Sequence, residues 1–165
     1  MTRSEKRSAA RLAGVQALYQ MEIAGKGMNE VLAEFERFWM GREIEGDQYK
    51  PAEHALFRAL ITGVIDAQIE IDRAVDALLS GWPLKRIEAI MRAILRAGAF
   101  ELIYKKDVPV RVVVSEYVDI ASAFLERDEV GMVNAVLDKL AREVRREEVM
   151  QRSNAPPRMP KGQSE

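Results

Sequence analysis

Cysteine is absent from the chain, and histidine occurs once, as His54. The first absence excludes disulfides, thiolate metal sites and cysteine nucleophiles, and it fits a reducing cytoplasm. The second excludes histidine-rich metal cages and paired-histidine chemistry. Glu53 and His54 are adjacent, which points them to different sides of a helix, so no Glu-x-x-His di-iron pattern arises. A Ser-His-Asp triad would have to use His54, which reads more simply as a surface histidine in a first helical turn. No glycine-rich phosphate loop is present: Gly25-Lys26-Gly27 lacks the spacing and the following Lys-Ser/Thr. Carboxylates at helical spacing, such as Glu126 with Glu129, read as solvated faces. The expectation is therefore a protein that is not an enzyme and carries no metal or cofactor. Nowhere do 18 apolar residues run without charge, so no membrane span is expected. One sign of charge does not dominate either. Lys plus Arg is 25 and Asp plus Glu is 26, for a net charge of -1, so any nucleic-acid site must be a local patch.

What is present is a folded chain of 165 residues, 48% hydrophobic and 31% charged, long enough to bury roughly 70% of its unfolded surface. The charged N-terminus leads into an Ala-rich amphipathic stretch rather than a signal-peptide core, and a cytoplasmic location is expected. Helix formers are abundant. Leu12, Val15, Tyr19 and Ile23 step by 3, 4 and 4, which predicts one face of a first helix ending at Gly25-Lys26-Gly27. A second helix is expected near Met28–Met40, then a loop from Gly41 to Lys50. Pro51 suits a first helical turn. The apolar series from Leu56 to Leu78 predicts one long helix, or two joined by a bend near Thr62–Asp66. Ser80-Gly81-Trp82-Pro83 breaks it. A helix over Leu84–Tyr104 follows, with Ile87, Met91, Ile94, Leu95, Gly98 and Leu102 inward and Gly98 admitting a close neighbour. Val110–Val114 looks like a strand by propensity, but Val113, Tyr117, Ile120, Ala121 and Phe124 continue at helical spacing and no partner strand exists, so a helix is predicted. A last helix covers Asp128–Met150. The reading is all-α, with residues 1–150 a single domain of about six to seven helices and residues 151–165 a disordered tail.

Local charge is uneven. From Met1 to Arg11, four basic residues oppose Glu5, a net +3. Arg7 and Arg11 lie four apart and share a helix face, which Arg3 extends. Such an end holds a phosphate backbone while Gln16 meets a base edge, or it is simply a frayed, solvated terminus. From Lys85 to Lys106 the balance is +4, and Lys85, Arg92 and Arg96 read as the wet side of an amphipathic helix.

Four motifs occur in one order: Val15-Gln16-Ala17-Leu18-Tyr19; Arg92-Ala-Ile-Leu-Arg96 with Phe100-Glu101-Leu102; Asp107-Val108-Pro109; and Val133-Asn134-Ala135-Val136-Leu137-Asp138-Lys139. Together they resemble the NusB family of bacterial transcription antitermination factors, over about Arg7 to Arg145. The resemblance implies two three-helix bundles packed across each other, with no catalysis and no cofactor. It implies binding of boxA single-stranded RNA from ribosomal RNA leaders, together with NusE, the small-subunit ribosomal protein, and assembly with other Nus factors on the RNA polymerase elongation complex. By position it implies an RNA surface of Arg3, Lys6, Arg7, Arg11, Gln16, Asp128, Met132 and Asn134, and a protein-partner surface with Tyr19 and Met91. Met132 stands where the family often has Phe, Ala135 where Gly is usual, and Ser8 and Ala9 interrupt an arginine run. Structural readings stand beside these roles: Asp128 as N-cap of the last helix, Asn134 as a cap or cross-link, Tyr19 as core. The alternative functions are a stand-alone helical module targeting ribosomal RNA and a protein adaptor without RNA contact.

Overall fold

The computed structural model describes residues 2–44 and 51–154, and among these every regular element is helical. The order is α1 (Arg3–Ala24), α2 (Met28–Ile44), α3 (Pro51–Asp66), α4 (Gln68–Leu78), a short 3-10 turn (Leu84–Arg86), α5 (Ala89–Tyr104), α6 (Val110–Phe124), α7 (Arg127–Val144) and α8 (Arg146–Asn154). The Leu56–Leu78 series is two helices joined at Ala67. The valine run Val110–Val114 is the first turn of α6, as the periodicity requires. The second helix extends beyond Met40, through Gly41 to Ile44. The expected last helix is two, because Arg145 leaves helical geometry at φ -128, ψ 42. Helix continues past residue 150 to Asn154, and the rest of the expected tail lies outside the described residues. None of the described helices is long and apolar enough to cross a membrane.

Local signals set these boundaries. Thr2 caps α1: its hydroxyl accepts from the Glu5 N–H at 3.1 Å, and the Glu5 carboxylate accepts from the Thr2 N–H at 2.8 Å. Gly25 ends the helix in the left-handed region at φ 65. Between α4 and α5, Ser80 and Gly81 both have positive φ, 48 and 84, which turns the chain before Pro83.

Helices α1, α2 and α3 pack together as one bundle, and α4 to α7 as a second with α8 appended to α7. Helix α5 joins the two, lying against α1 and α3 on one side and α4, α6 and α7 on the other. Its small residues allow this. A Cβ on Gly98 would meet Leu137 of α7 at 3.0 Å and Tyr117 of α6 at 3.3 Å. Gly63 of α3 is tighter still, with Phe100 of α5 where a Cβ would sit.

The inward face of α1 differs from the one its large apolar residues suggest. Ala10, Gly14, Val15, Ala17 and Leu18 are buried, while Leu12 and Tyr19 are 36% exposed and Ile23 is 60% exposed. Small residues bring α1 close: a Cβ on Gly14 would lie 3.0 Å from Leu60 of α3. Of the expected stripe only Val15 is in the core, and Tyr19 is a surface residue.

Candidate nucleic-acid interface

Helix α1 runs antiparallel to α5, with Arg11 beside Glu101 at one end and Glu22 beside Arg92 at the other. Near the first end, α1 stands against the α5–α6 turn and the start of α6. The open groove between them, of about 520 Å³, has Arg3 and Arg7 on one wall and Asp107, Val108 and Pro109 on the other. Among the described residues, neither arginine pairs with a carboxylate. Lys6 follows on the same helical end and is half-buried.

Arg11 belongs to the floor of this groove rather than to its surface. It is 1% exposed. Its guanidinium donates to both Glu101 oxygens, from Nε at 2.8 Å and from Nη2 at 3.0 Å, and from Nη1 to Glu116 at 2.9 Å. The Ser8 hydroxyl also donates to Glu116, and the Tyr117 hydroxyl donates to Glu101. Burial opposes the charge on Arg11, but its hydrogen bonds and charge pairing with Glu101, together with Tyr117 and Glu116, raise its pKa above the ordinary value. Burial, reinforced by Glu101, pushes the Tyr117 phenol well above its own. This cluster fixes α1 against α5 and α6. With every guanidinium nitrogen committed, Arg11 has nothing to offer a phosphate, a correction to its expected place on the RNA surface.

A second groove, of about 620 Å³, runs between α6 and α7. Arg127, Gly131, Asn134 and Asp138 line it from α7, facing Arg111 and Ser115 on α6, over a floor of valines. Asn134 is exposed and makes no hydrogen bond among the described residues, so it neither caps nor cross-links helices. Arg111 and Arg127 pair with no carboxylate among them. Helix α6 walls both grooves, one with Val112 and Glu116 and the other with Arg111 and Ser115; Arg3, Arg7, Arg111 and Arg127 together are a candidate basic track from α1 across α6 to α7. Arg111 and Arg127 were missed in the sequence. Arg127 is seven residues before Asn134, which is two helical turns and the same face, and that spacing was the available signal.

The remaining expected site residues divide. Asp128 is exposed and Met132 half-buried, on the strip of α7 next to the groove strip. The N-cap of α7 is Glu126, whose N–H donates to Glu129 at 3.3 Å; this replaces Asp128 in that role and gives the Glu126–Glu129 pair a structural one. Gln16 is exposed, but it lies nine residues from Arg7, which is half a turn round α1. It shares the outward strip of Leu12, Tyr19 and Ile23. Met91 is 1% exposed, so it is core and presents nothing to a partner. Arg92 and Arg96 are not a wet face either. Arg92 pairs with Glu22 and donates to the carbonyls of Leu84 at 3.1 Å and Ile87 at 2.7 Å, and Arg96 pairs with Asp72 at 2.7 Å. His54 is half-buried, 3.4 Å from Glu36.

The model of the NusB family matches residues 8–142. The chain belongs to the NusB family. Its relatives agree: it is 64% identical over 148 residues to the transcription antitermination protein NusB of Bradyrhizobium sp. (strain ORS 278), covering 89% of this chain and 88% of that one. It is 62% identical over 147 residues to that of Rhodopseudomonas palustris (strain TIE-1), covering 88% and 84%. Transcription antitermination is the function this NusB membership carries. Among solved structures, T. maritima NusB superposes with a TM-score of 0.74 at 27% identity, over 87% of this chain and 96% of that one. A structure of NusB and NusE in complex with dsRNA shares the fold, with a TM-score of 0.70 at 24% identity, over 87% and 99%.

Proposed function

We propose that this NusB-family chain binds boxA single-stranded RNA of ribosomal RNA operons along the basic track, together with NusE, and supports elongation by RNA polymerase in assembly with other Nus factors. One observation carries the reading: among the described residues, Arg3 and Arg7 stand unpaired on a groove whose floor is locked by Arg11, Glu101 and Glu116. Single-stranded RNA is held by backbone charge and read at exposed base edges. Arg3, Lys6 and Arg7 supply charge on α1, Arg111 and Arg127 continue it, and Asn134 offers an amide to a base edge. Asp128 accepts from a base donor, and Met132 lies beside it as an apolar contact. The outward strip Leu12–Gln16–Tyr19–Ile23 is the face assigned to the protein partner, in place of Met91. The roles are binding and assembly, with no catalytic step.

The test is binding of labelled boxA RNA against a scrambled strand, with and without NusE, at two salt concentrations. If the four arginines each neutralise one phosphate, log K falls with log salt at a slope of about -3. Tighter binding of boxA with NusE supports the reading. No boxA preference with NusE binding intact leaves a helical adaptor, and preference for structured ribosomal RNA leaves a targeting module.

A further inference from the structure

Beyond the segment that the family model matches, Arg145 and Glu148 build a brace behind the groove between α1 and the α5–α6 turn. Where α7 gives way to α8, Arg145 turns inward and is 5% exposed. Its guanidinium donates to the carbonyls of Leu102 at 2.8 Å, Glu101 at 2.8 Å and Lys105 at 2.7 Å, and also to that of Val108. The carbonyls of Glu101 and Leu102 belong to the last turn of α5; that of Glu101 also accepts from the Lys105 N–H at 2.9 Å, and that of Leu102 is among those a helix end leaves to outside donors. One turn along α8, Glu148 lies 3.3 Å from Arg145 Nη1, and its other oxygen accepts from the Val110 N–H at 2.7 Å. That N–H is a free donor of the first turn of α6. The pair thus ties down the end of α5, the start of α6 and the turn between them.

That turn is the wall opposite Arg3 and Arg7. It contributes Asp107, Val108 and Pro109 to the groove, and it carries Lys105 and Lys106, neither of which meets a carboxylate among the described residues. Arg145 and Glu148 do not line the groove themselves. We propose that they are positioning residues for RNA binding, holding the α5–α6 turn so that the groove keeps its width and Lys105 and Lys106 keep their place next to it. This rests on the RNA-binding reading above.

The experiment uses the full chain and compares Glu148→Ala, Glu148→Gln and Arg145→Lys with wild type, measuring boxA RNA affinity and, separately, NusE affinity without RNA. Glu148→Gln keeps a carbonyl oxygen for the Val110 N–H; Glu148→Ala does not. Lysine cannot reproduce the forked contacts of Arg145. Glu148→Ala is expected to weaken RNA binding about fivefold, the equivalent of one net hydrogen bond. Glu148→Gln is expected to bind near the wild-type level, Arg145→Lys weakly, and all three to keep NusE affinity. Unchanged RNA affinity in Glu148→Ala overturns the proposal. So does tighter binding in both Glu148 variants, which would mean simple charge repulsion, and so does equal loss of RNA and NusE binding, which would mean general destabilisation. Wild type without any boxA preference removes the RNA reading and this proposal together, whereas wild-type binding with an indifferent Glu148→Ala removes the proposal alone.

Discussion

Arg11 and Glu101, ninety positions apart, form a two-pronged ion pair in the interior, at 2.8 and 3.0 Å. Their neighbour four residues earlier on α1, Arg7, has no such partner. The two arginines look equivalent in the sequence, yet one locks the floor of the groove and the other stands on its wall.

The two are separable by mutation. Arg11→Ala leaves Glu101 buried without its cation and should cost about 3–5 kcal/mol of stability. Arg7→Ala should leave stability within about 0.5 kcal/mol and lower the RNA salt slope by about 0.7. Urea unfolding and RNA titration at several salt concentrations check both. Equal stability of the two variants would contradict the buried geometry.

Tyr117 predicts a pH dependence. Its folded pKa is raised well above the ordinary value by burial and Glu101. A raised folded pKa stabilises fully below the unfolded value, about 10, and the contribution is lost as pH rises through the folded value. Tyr117→Phe should therefore be less stable than wild type at neutral pH, by about 1.5 kcal/mol for a hydrogen bond to a charged acceptor. The gap should close in alkaline solution. Urea midpoints of both proteins across that range decide it; a constant gap would refute the coupling.

Much of the fold was legible in the sequence, because helical period and chain breaks are local properties. The break at Ser80–Pro83, the bend before α4 and the helical valines of α6 all follow from neighbouring residues. The phase of α1 was not legible. Large apolar residues pointed to Leu12, Tyr19 and Ile23, whereas close packing on α3 and α5 selects Ala10, Gly14 and Ala17, whose low hydropathy gives no signal. The structural pairings of three arginines were hidden for a related reason. Arg11, Arg92 and Arg145 have partners far along the chain, and no window of sequence contains both members of such a pair. The candidate site was half legible: Arg3, Arg7 and Asn134 stand in the grooves, Arg111 and Arg127 were overlooked, and Met91 belongs to the core.

The exposed strip of α1 can be tested directly. Ile23→Ser should change stability by no more than about 0.5 kcal/mol, and Val15→Ala should cost about 2 kcal/mol for a buried valine side chain cut back. Thermal unfolding of the two variants distinguishes them. A large loss at Ile23 would place that residue in the core.

Two glycines should respond in opposite directions. Gly63→Ala puts a methyl group 2.1 Å from a Phe100 ring carbon, and the overpacking should cost about 1–3 kcal/mol or more. Gly131 lies inside α7, with nothing within 4 Å of an added Cβ, and Gly131→Ala should gain up to about 1 kcal/mol from helix propensity. Calorimetric melting temperatures should move down for the first and up for the second.

Helix α5 is the shared wall of both bundles, and this decides what the pieces of the chain can do alone. A cut in the exposed turn at Gly81–Trp82 divides the sequence where it looks most divisible, between α4 and α5. The N-terminal piece then keeps α1 and α3 but loses the helix they close upon, and α4 goes with it, away from α5 and α7. The C-terminal piece keeps α5 with one flank stripped to water. Neither fragment is a small version of the whole, so the break in the sequence is a hinge of connectivity rather than a seam between independent folding units. Two such fragments mixed together have every surface they need to rebuild the molecule.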